Sequence, residues 1–354
     1  MALPGIGNSI SFQQIEDEFG NNDTSSIGGY RIRQGGATYP QNFPGGLSFS
    51  SLDTNIPTSG QIKFSDFNAK KLNIVVDFYN GGTVYRQNAL TKYNGNAVTM
   101  IGGYASKPNV PAGKKVYVHV NKLIGSDQNI NHRNVALTTG LFDFATELFV
   151  SVGTSGAIVG AGGKGGLGKK DAAGDNGVDG SSALGLLHAA TIINNGRIQT
   201  GFGGGGGGSG AGQNVKTGKK SSTYETASGG GGGGGAGLPK GLGGASQQGA
   251  TSNGSAGDDA VDSIDGGDGG AGGTNAGAGG NGGGQNVSGQ DSAANAPSGG
   301  TAKYSGGTGG KNGYAIISTG GSAPTITGNP VVGRILTSAT PTWFLLILFL
   351  RWYR

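Results

Sequence analysis

Alternation of apolar and polar residues is clearest between residues 72 and 152. Five segments in this stretch carry β-branched, aromatic or aliphatic residues at alternate positions, which is typical of β-strands. They are residues 72–79, 84–86, 97–101, 115–120 and 147–150. We therefore predict a small β-rich domain over residues 72–152, and we expect it to attach the rest of the chain to another protein.

Two features of these segments suggest how the strands are arranged. Residues 80–82 read Asn-Gly-Gly, which predicts a hairpin turn between the first two strands. In the fourth strand Val116, Val118 and Val120 alternate with larger polar or aromatic residues. Because successive strand residues point to opposite faces, we expect the three valines to face a core.

Residues 1–71 contain a short motif three times. Counted from Ile10, Leu47 and Ile62, apolar residues occupy the first, third and sixth positions of each copy. The first positions alternate like a strand, and the polar residues that follow are expected to begin a short helical turn. The motif resembles modules at the N-termini of marine-phage virion proteins, which would make residues 1–71 an N-terminal repeat and attachment region. Three unrelated amphipathic segments are the alternative.

Glycine dominates residues 153–321, with unbroken runs at 203–208 and 229–235. So few side chains cannot form an ordinary core, and a flexible linker is one interpretation. The other is polyproline-II geometry, in which bare glycine backbones lie side by side and hydrogen-bond to each other. Collagen is excluded, because the glycines keep no strict triplet phase along the region and the chain has only 11 prolines.

Non-glycine segments separate the glycine blocks. They are residues 169–182, 213–228, 247–264 and 285–298. A linker has no need of this alternation, whereas a bundle of reversing glycine rods needs a turn at the end of each rod. We therefore predict that the glycine region is folded.

The order of elements around the glycine blocks carries a second resemblance. An apolar strand at 148–152 precedes the first block, and residues 192–198, interrupted by a turn signal at Asn194-Asn195-Gly196, precede the polyglycine run. This order resembles the distal tail-fibre adhesins of T-even-like bacteriophages. In that family the blocks form a layered sandwich of polyglycine-II helices, and hypervariable loops between them contact the bacterial receptor. The resemblance implies a mostly β plus polyglycine-II fold, in which a small β-rich attachment domain precedes a layered glycine-rich bundle with receptor loops.

The last segment, residues 322–354, differs from the rest. Residues 324–337 resemble the opening strand of a bacterial Ig-like repeat, but a complete domain of that kind needs roughly seven strands and about 100 residues. The apolar run at 343–350 is too short to span a bilayer, which takes about 20 residues. We expect a truncated Ig-like start and an apolar tail that docks on a partner or is a remnant of the truncation, without membrane insertion.

Composition removes several function classes. The chain has no cysteine, which excludes disulfides and thiolate metal sites. Its formal net charge of +5 is compatible with approach to an anionic envelope, and no basic block of the nucleic-acid type is present. The N-terminus lacks the basic and apolar regions of a signal peptide, as expected for a virion protein released by lysis.

Candidate chemistry is sparse. Three histidines lack metal-ligand spacing, and residues 163–170 match a phosphate loop except that Lys170 replaces the magnesium-binding Ser or Thr. The acidic run at 258–269 lacks the nine-residue repeat of calcium-binding β-rolls, so a solvated acidic loop is favoured. We therefore expect no enzymatic activity, no metal and no cofactor.

The predicted function is that of an extracellular adhesin at the tip of a phage tail fibre. Its partners would be a host-cell surface receptor (an outer-membrane protein or a glycan) and another tail or fibre protein bound by the N-terminal region. A purely structural glycine-rich virion or cell-surface protein is the alternative. The predicted receptor contacts lie on the inter-block loops 169–182, 213–228 and 285–298 or close to them, with Tyr224 as the central aromatic anchor. They are Lys169, Lys170, Asp175, Lys216, Lys219, Lys220, Tyr224, Glu225, Gln285, Asn286, Asp291 and Tyr304.

Overall fold

The computed structural model describes residues 3–19, 27, 60–69, 73–78, 82–89, 99–101, 114–127, 134–142, 145–216, 222–249, 252–285, 287–294, 304–319 and 323–337. The described helices are α1 (Phe12–Phe19) and a 3-10 helix (Phe64–Phe67). The first described strands are β1 (Asn73–Phe78), β2 (Val84–Tyr85), β3 (Gln87–Asn88), β4 (Thr99–Ile101), β5 (Lys114–Val120), β6 (Leu123–Gly125), β7 (Val135–Thr138), β8 (Ala145–Val152) and β9 (Ala157–Val159). They are followed by β10 (Ser182–Leu186), β11 (Ala190–Asn194), β12 (Arg197–Gln199), β13 (Ala211–Lys216), β14 (Ser222–Ala227), β15 (Tyr314–Ser318), β16 (Thr325–Gly328) and β17 (Arg334–Thr337).

Three sheets built almost entirely of parallel strands form the first body of the fold. Their strand orders are β16-β11-β8-β5-β1-β4, β17-β15-β10-β7-β3 and β12-β9-β6-β2, and only the β1–β4 pair is antiparallel among the described ladders of these sheets. The chain visits the three sheets in a constant order, for example β5, β6, β7 and then β8, β9, β10. This path is that of a three-sided parallel β-helix, and we use that name for the three sheets.

In-register pairing stacks similar side chains inside the β-helix. On the first sheet Val76, Val118, Val150 and Ile192 are aligned neighbours, and all four are buried. The other two sheets contribute matching apolar rows to the same core. Those rows are Ile124, Ile158 and Ile198 on one sheet and Leu137, Leu184 and Ile316 on the other.

The predicted strands are confirmed, but the predicted hairpin at residues 80–82 is wrong. β1 and β2, which flank those residues, lie in different sheets, and so do β11 and β12 on either side of Asn195. The Asn-Asn-Gly turn signal at 194–196 therefore marks a corner of the β-helix, where the chain needs a sharp change of direction as it does in a hairpin.

The fourth predicted strand, β5, is buried on both faces. Val116, Val118 and Val120 are buried as predicted, but the side chains on the opposite face are also covered: Tyr117 is only 3% exposed and His119 is 0% exposed. Tyr117 stacks on Phe149 of β8, with ring centroids 4.7 Å apart. Because burial disfavours the charged imidazolium, the pKa of His119 is lowered to about 4.

Residues 324–337 do not begin an Ig-like domain. β16 pairs in parallel with β11, and β17 pairs in parallel with β15, so together they make the last described coil of the β-helix. An Ig-like domain would instead start an antiparallel sandwich. The sheets also cross the expected domain boundaries at 152 and 321, since β8 pairs with β11 and β11 with β16. Residues 338–354, with the apolar tail, lie outside the described residues.

The repeated N-terminal motif forms helical turns in the two copies that the structure describes. Ser11 caps α1 reciprocally: its Oγ accepts the Gln14 N–H at 3.2 Å, and its own N–H donates to Gln14 Oε1 at 2.8 Å. Ile15 and Phe67, at the sixth position of the first and third copies, are buried in the same apolar cluster as the β-helix core. No strand forms over the described residues 9–11 or 61–63, and the copy at Leu47 lies outside the described residues.

The glycine region is the second body of the fold and is inserted into the β-helix. Extended segments, which we call rods, run alternately away from the β-helix and back toward it. Rods 1 and 2 lie between β9 and β10, and the remaining rods lie between β12 and β15. In chain order, rods 1 to 10 are residues 160–168, 174–181, 201–210, 228–237, 241–247, 252–260, 266–273, 276–283, 289–294 and 305–313.

Rod 4 lies at the centre of this body. It donates backbone hydrogen bonds to rods 1, 6 and 8 and accepts backbone hydrogen bonds from rods 3, 5 and 7. Residues three apart face the same neighbour: Gly232 and Gly235 donate to rod 1 and Gly229 to Lys169, the residue that follows rod 1, whereas Gly230 and Gly233 donate to rod 8. Rod 4 thus has six rod neighbours, each joined to it by main-chain hydrogen bonds.

Close approach of backbones explains where glycine is required. A Cβ on Gly232 would collide with Gly205 O, and a Cβ on Gly205 would collide with Gly280 O. Rods 3 and 4, which are surrounded by other rods, accordingly contain the unbroken glycine runs. In a peripheral rod such as rod 7 every third residue carries a side chain, and the residues at those positions, Asp268 and Ala271, are exposed.

Polar side chains complete the hydrogen bonding at the periphery. Asp259 Oδ1 accepts the Gly243 N–H at 2.8 Å, and Asn281 Oδ1 accepts the Gly269 N–H at 2.9 Å. Each of these bonds joins two adjacent rods at a backbone donor that no further rod reaches. The carboxylate and amide side chains therefore take the place of the missing carbonyl acceptor.

Candidate functional site

The two ends of the glycine body differ in what surrounds them. The end at which rods 1 and 3 begin and rods 2 and 10 finish adjoins the β-helix. The turns at the opposite end join rod 1 to 2, 3 to 4, 5 to 6, 7 to 8 and 9 to 10. We call this end the distal tip; its described residues are 169–173, 211–216, 222–227, 247–249, 252, 273–276, 294 and 304.

Hydrogen bonds hold the distal turns against each other. The Lys170 N–H donates to Gln247 Oε1 at 2.9 Å, and the Thr274 N–H donates to Ser252 Oγ at 3.0 Å. Ser228, at the start of rod 4, accepts the Gly254 N–H on its Oγ at 2.8 Å. Turns that are far apart in sequence therefore form one surface.

The longest described turn of the tip is a β-hairpin. β13 and β14 pair antiparallel from Ala211 with Ala227 to Lys216 with Ser222. Six residues per strand make the ladder about 20 Å long. The hairpin joins rods 3 and 4, so it is anchored at the two rods that contain the unbroken glycine runs.

Two predicted contact residues at the tip are held by other side chains. Lys169 Nζ lies 2.8 Å from Asp175 Oδ2, and the Tyr304 hydroxyl donates to Asp171 Oδ1 at 3.0 Å. Lys170, by contrast, is exposed. These two pairs join neighbouring turns and rods, which fixes the positions of Lys169 and Tyr304 at the tip.

The remaining predicted contacts that the structure describes lie in three different places. Lys216, Tyr224 and Glu225 lie on the backbone of the β13–β14 hairpin. Gln285 lies at the end next to the β-helix, where its N–H donates to Ile264 O at 3.0 Å. Asp291 lies within rod 9, and its Oδ1 accepts the Gly309 N–H at 2.8 Å. Lys219, Lys220 and Asn286 lie outside the described residues.

Contrary to expectation, the loop 285–298 does not lie wholly at the distal tip. Its first described residues turn beside the β-helix, and rod 9 then runs from that end toward the tip. The cause is the alternation of rods, because this segment contains one whole rod with a turn at each end.

Sequence reasoning missed Asp171 and Asn275 as tip residues. Both have a left-handed backbone, with φ of 51° and 60°, in the turns that join rods 1 to 2 and 7 to 8. Asn and Asp tolerate this conformation better than other residues with a side chain.

The motifs that suggested phosphate or calcium binding have structural roles. The Gly163 and Gly166 N–H groups donate to rod 3, so they are not available to cradle a phosphate. Asp262 Oδ1 accepts the Ile264 and Asp265 N–H groups at 2.5 and 2.9 Å. These bonds, with a smaller contribution from the charge of Arg197, hold the pKa of Asp262 below its usual value. Among the described residues no group of three or more His, Asp or Glu could hold a metal ion.

Comparison with known protein families identifies the chain. The family model described as "Phage tail fibre adhesin Gp38" matches residues 79–336, which is more than half of the sequence. The chain belongs to the Gp38 family of phage tail fibre adhesins. The match begins just after β1 and ends within β17, so it includes the β-helix from β2 onward and all the rods.

Two further comparisons complete the picture. The solved gp37–gp38 adhesin tip complex of the bacteriophage S16 long tail fibre is similar at 18% sequence identity and a TM-score of 0.39, covering 82% of this chain and 94% of that chain. Curated protein sequences give no match. Within the described residues, no helix has the length and apolar character needed to cross a membrane.

Proposed function

We propose that the chain binds a host-cell surface receptor through the distal tip and is the adhesin at the end of a phage tail fibre. One observation carries the proposal: turns from five separate parts of the chain are gathered at one end of the glycine body. The other end is joined to the β-helix, so the distal tip is the end that can approach a cell.

The rods are, in this proposal, polyglycine-II helices. In support, residues three apart face the same neighbouring rod, which is the repeat of a polyproline-II helix. The body is held by main-chain hydrogen bonds, with side-chain bonds at the periphery. Turn sequences at the tip can then vary without changing the rods that support them.

The β13–β14 hairpin is the principal contact element in this proposal. It is the longest described distal turn, and Lys216, Tyr224 and Glu225 lie on it. Aromatic residues supply contact area at interfaces, and lysines attract anionic groups on a cell surface. Lys170 and Tyr304 lie on neighbouring turns and would extend the same surface.

Two partners follow from the proposal. The receptor is an outer-membrane protein or a glycan, and residues 1–71 bind another tail or fibre protein that carries the adhesin in the virion. The described N-terminal residues support the second point, because Ile15 and Phe67 tie that region to the β-helix and not to the distal tip. In this proposal the chain binds and does not catalyse a reaction.

The test is to replace residues 213–225 by a short Gly-Ser turn and to measure binding of the purified protein to host cells. We expect loss of binding with an unchanged melting temperature, because the rods keep their hydrogen bonds. The matched control replaces Val261 and Ile264 by Ser, since both lie in an exposed turn at the opposite end. Wild-type binding by the hairpin replacement, or equal loss in the control, would refute the proposal.

A further inference from the structure

A cleft lies away from the distal tip, where rods 3 and 10 meet the last described coil of the β-helix. The cleft has a volume of about 570 Å³, within the range of about 300–1,000 Å³ that holds small ligands. Its lining residues come from both bodies of the fold. Those that matter for binding are Thr200, Phe202, Ser288, Lys311, Asn312 and Arg334.

The floor of the cleft is rigid. The Gly313 N–H donates to Gly201 O at 3.0 Å, and Asn312 Oδ1 accepts the Gly203 N–H at 3.1 Å. Thr200 and Phe202 are buried beneath these bonds. A ligand would therefore meet a preformed surface of backbone and short side chains, which lowers the entropy cost of binding.

Positive charge dominates the cleft. Lys311 and Arg334 line it, and none of its lining residues carries a carboxylate. Arg334 is oriented from two sides: its guanidinium lies 5.0 Å from the ring centre of Tyr314, and its Nη2 donates to Asn312 O at 3.3 Å. One carboxylate approaches from rod 2, where Asp179 Oδ1 accepts the Lys311 N–H at 2.7 Å.

We propose that this cleft binds an acidic sugar, with Arg334 and Lys311 contacting its carboxylate group. The guanidinium of Arg334 and the ammonium of Lys311 can pair with such an anion through charge-assisted hydrogen bonds. The Ser288 hydroxyl and the Asn312 side chain supply donors and acceptors suited to sugar hydroxyls. The site is independent of receptor binding by the distal tip, because the tip turns contribute none of its residues.

Ligand-observed NMR with glucuronic acid as the probe tests the proposal, with glucose and inorganic phosphate in parallel. We expect glucuronic acid to bind with a dissociation constant on the order of 1 mM, as for a good ligand of this size. Arg334→Gln and Lys311→Gln should each weaken binding about tenfold, because each removes a charged hydrogen-bond donor. Asp179→Asn keeps the oxygen that accepts the Lys311 N–H and removes the nearby negative charge, so it should tighten binding about threefold.

The control is Lys240→Gln, which removes an exposed lysine at the same end of the glycine body but outside the cleft. It should leave the affinity unchanged, and melting temperatures establish that every variant is folded. No binding of glucuronic acid at about 20 mM, roughly twenty times the expected constant, would overturn the proposal. Equal binding of glucose, binding of phosphate alone, or equal weakening by the control would overturn it as well.

Discussion

Replacing Gly232 with alanine should destabilise the glycine body more than its single added methyl group suggests. Gly232 lies in the middle of rod 4, where its N–H donates to Gly166 O at 2.9 Å and its carbonyl accepts the Gly244 N–H at 2.7 Å. A Cβ at this position would collide with the carbonyl of Gly205 in rod 3. Because that oxygen belongs to the backbone, no side-chain rotation can relieve the clash.

The size of the effect follows from the bonds that must lengthen. To make room, rods 3 and 4 must separate near Gly205, whose N–H donates to Gly233 O at 2.8 Å. Each buried backbone group that loses its partner costs about 1–3 kcal/mol. The lower entropy of alanine in the unfolded chain offsets about 0.4–1 kcal/mol. We therefore expect Gly232→Ala to lower the free energy of unfolding by about 3 kcal/mol.

Denaturant-induced unfolding measures this effect, and Gly82→Ala is the matched control. Gly82 has an ordinary backbone conformation, and no atom lies within 4 Å of the position that a Cβ would take there, so alanine should be neutral or slightly stabilising. Amide hydrogen exchange should also be slow at 229–235 in the wild type and faster in Gly232→Ala. A change in stability below about 0.5 kcal/mol for Gly232→Ala would refute the close approach of rods 3 and 4.

Three further predictions test other parts of the structure. Val118→Asp should unfold the β-helix or lower its stability by several kcal/mol (roughly 3 or more), because Val118 is buried; an unchanged melting temperature would contradict the packing. The pKa of His119 is about 4 in the folded protein and about 6.5 in the unfolded chain. The free energy of unfolding should therefore decrease as the pH falls from 6.5 to 4. The wild type should lose about 3 kcal/mol more than His119→Gln over that range, and parallel pH profiles would contradict this. Asp291→Asn should leave stability and cell binding unchanged, because the amide keeps the Oδ1 acceptor for the Gly309 N–H, whereas Asp291→Ala should lower stability. Loss of cell binding by the stable Asn variant would show that Asp291 contacts the receptor directly.

Strand positions in the β-helix could be predicted because their pattern is local. Alternating apolar residues identify β5 whether its neighbours are parallel or antiparallel. The partners of each strand could not be predicted, since β11 pairs with β16 across the whole second part of the glycine body. Turn signals could not distinguish hairpins from β-helix corners either, because both need residues that tolerate a sharp reversal.

The glycine body held a local signal that its overall composition concealed. Its glycines keep no triplet phase across the whole region, but rod 7 repeats two glycines and one exposed residue, and rods 3 and 4 contain unbroken glycine. This difference distinguishes peripheral rods from surrounded ones, because only a peripheral rod has room for a side chain. Asp291 does not follow this pattern, because rod 9 lacks the glycine repeat; its Oδ1 nevertheless accepts the Gly309 N–H of rod 10.

The end of the glycine body at which a candidate residue lies could be predicted where its loop contains a single turn. Lys216, Tyr224 and Glu225 share one hairpin, and the structure places that hairpin at the distal tip. The sequence pattern groups Gln285 with the distal residues, because rod 9, which lies within the same loop, is short and carries several side chains. Counting rods, and not loops, assigns each turn to the correct end.

Hydrogen-exchange footprinting of the intact protein on host outer-membrane vesicles tests the central claim most directly. The account predicts slower exchange on binding at the distal turns 169–173, 211–227, 247–252 and 273–276, with no change at the turns 237–241, 260–266 and 283–289 at the opposite end. Vesicles from a bacterium that the purified protein does not bind are the control and should change neither set. Slower exchange at the turns beside the β-helix, with none at the distal tip, would contradict the account.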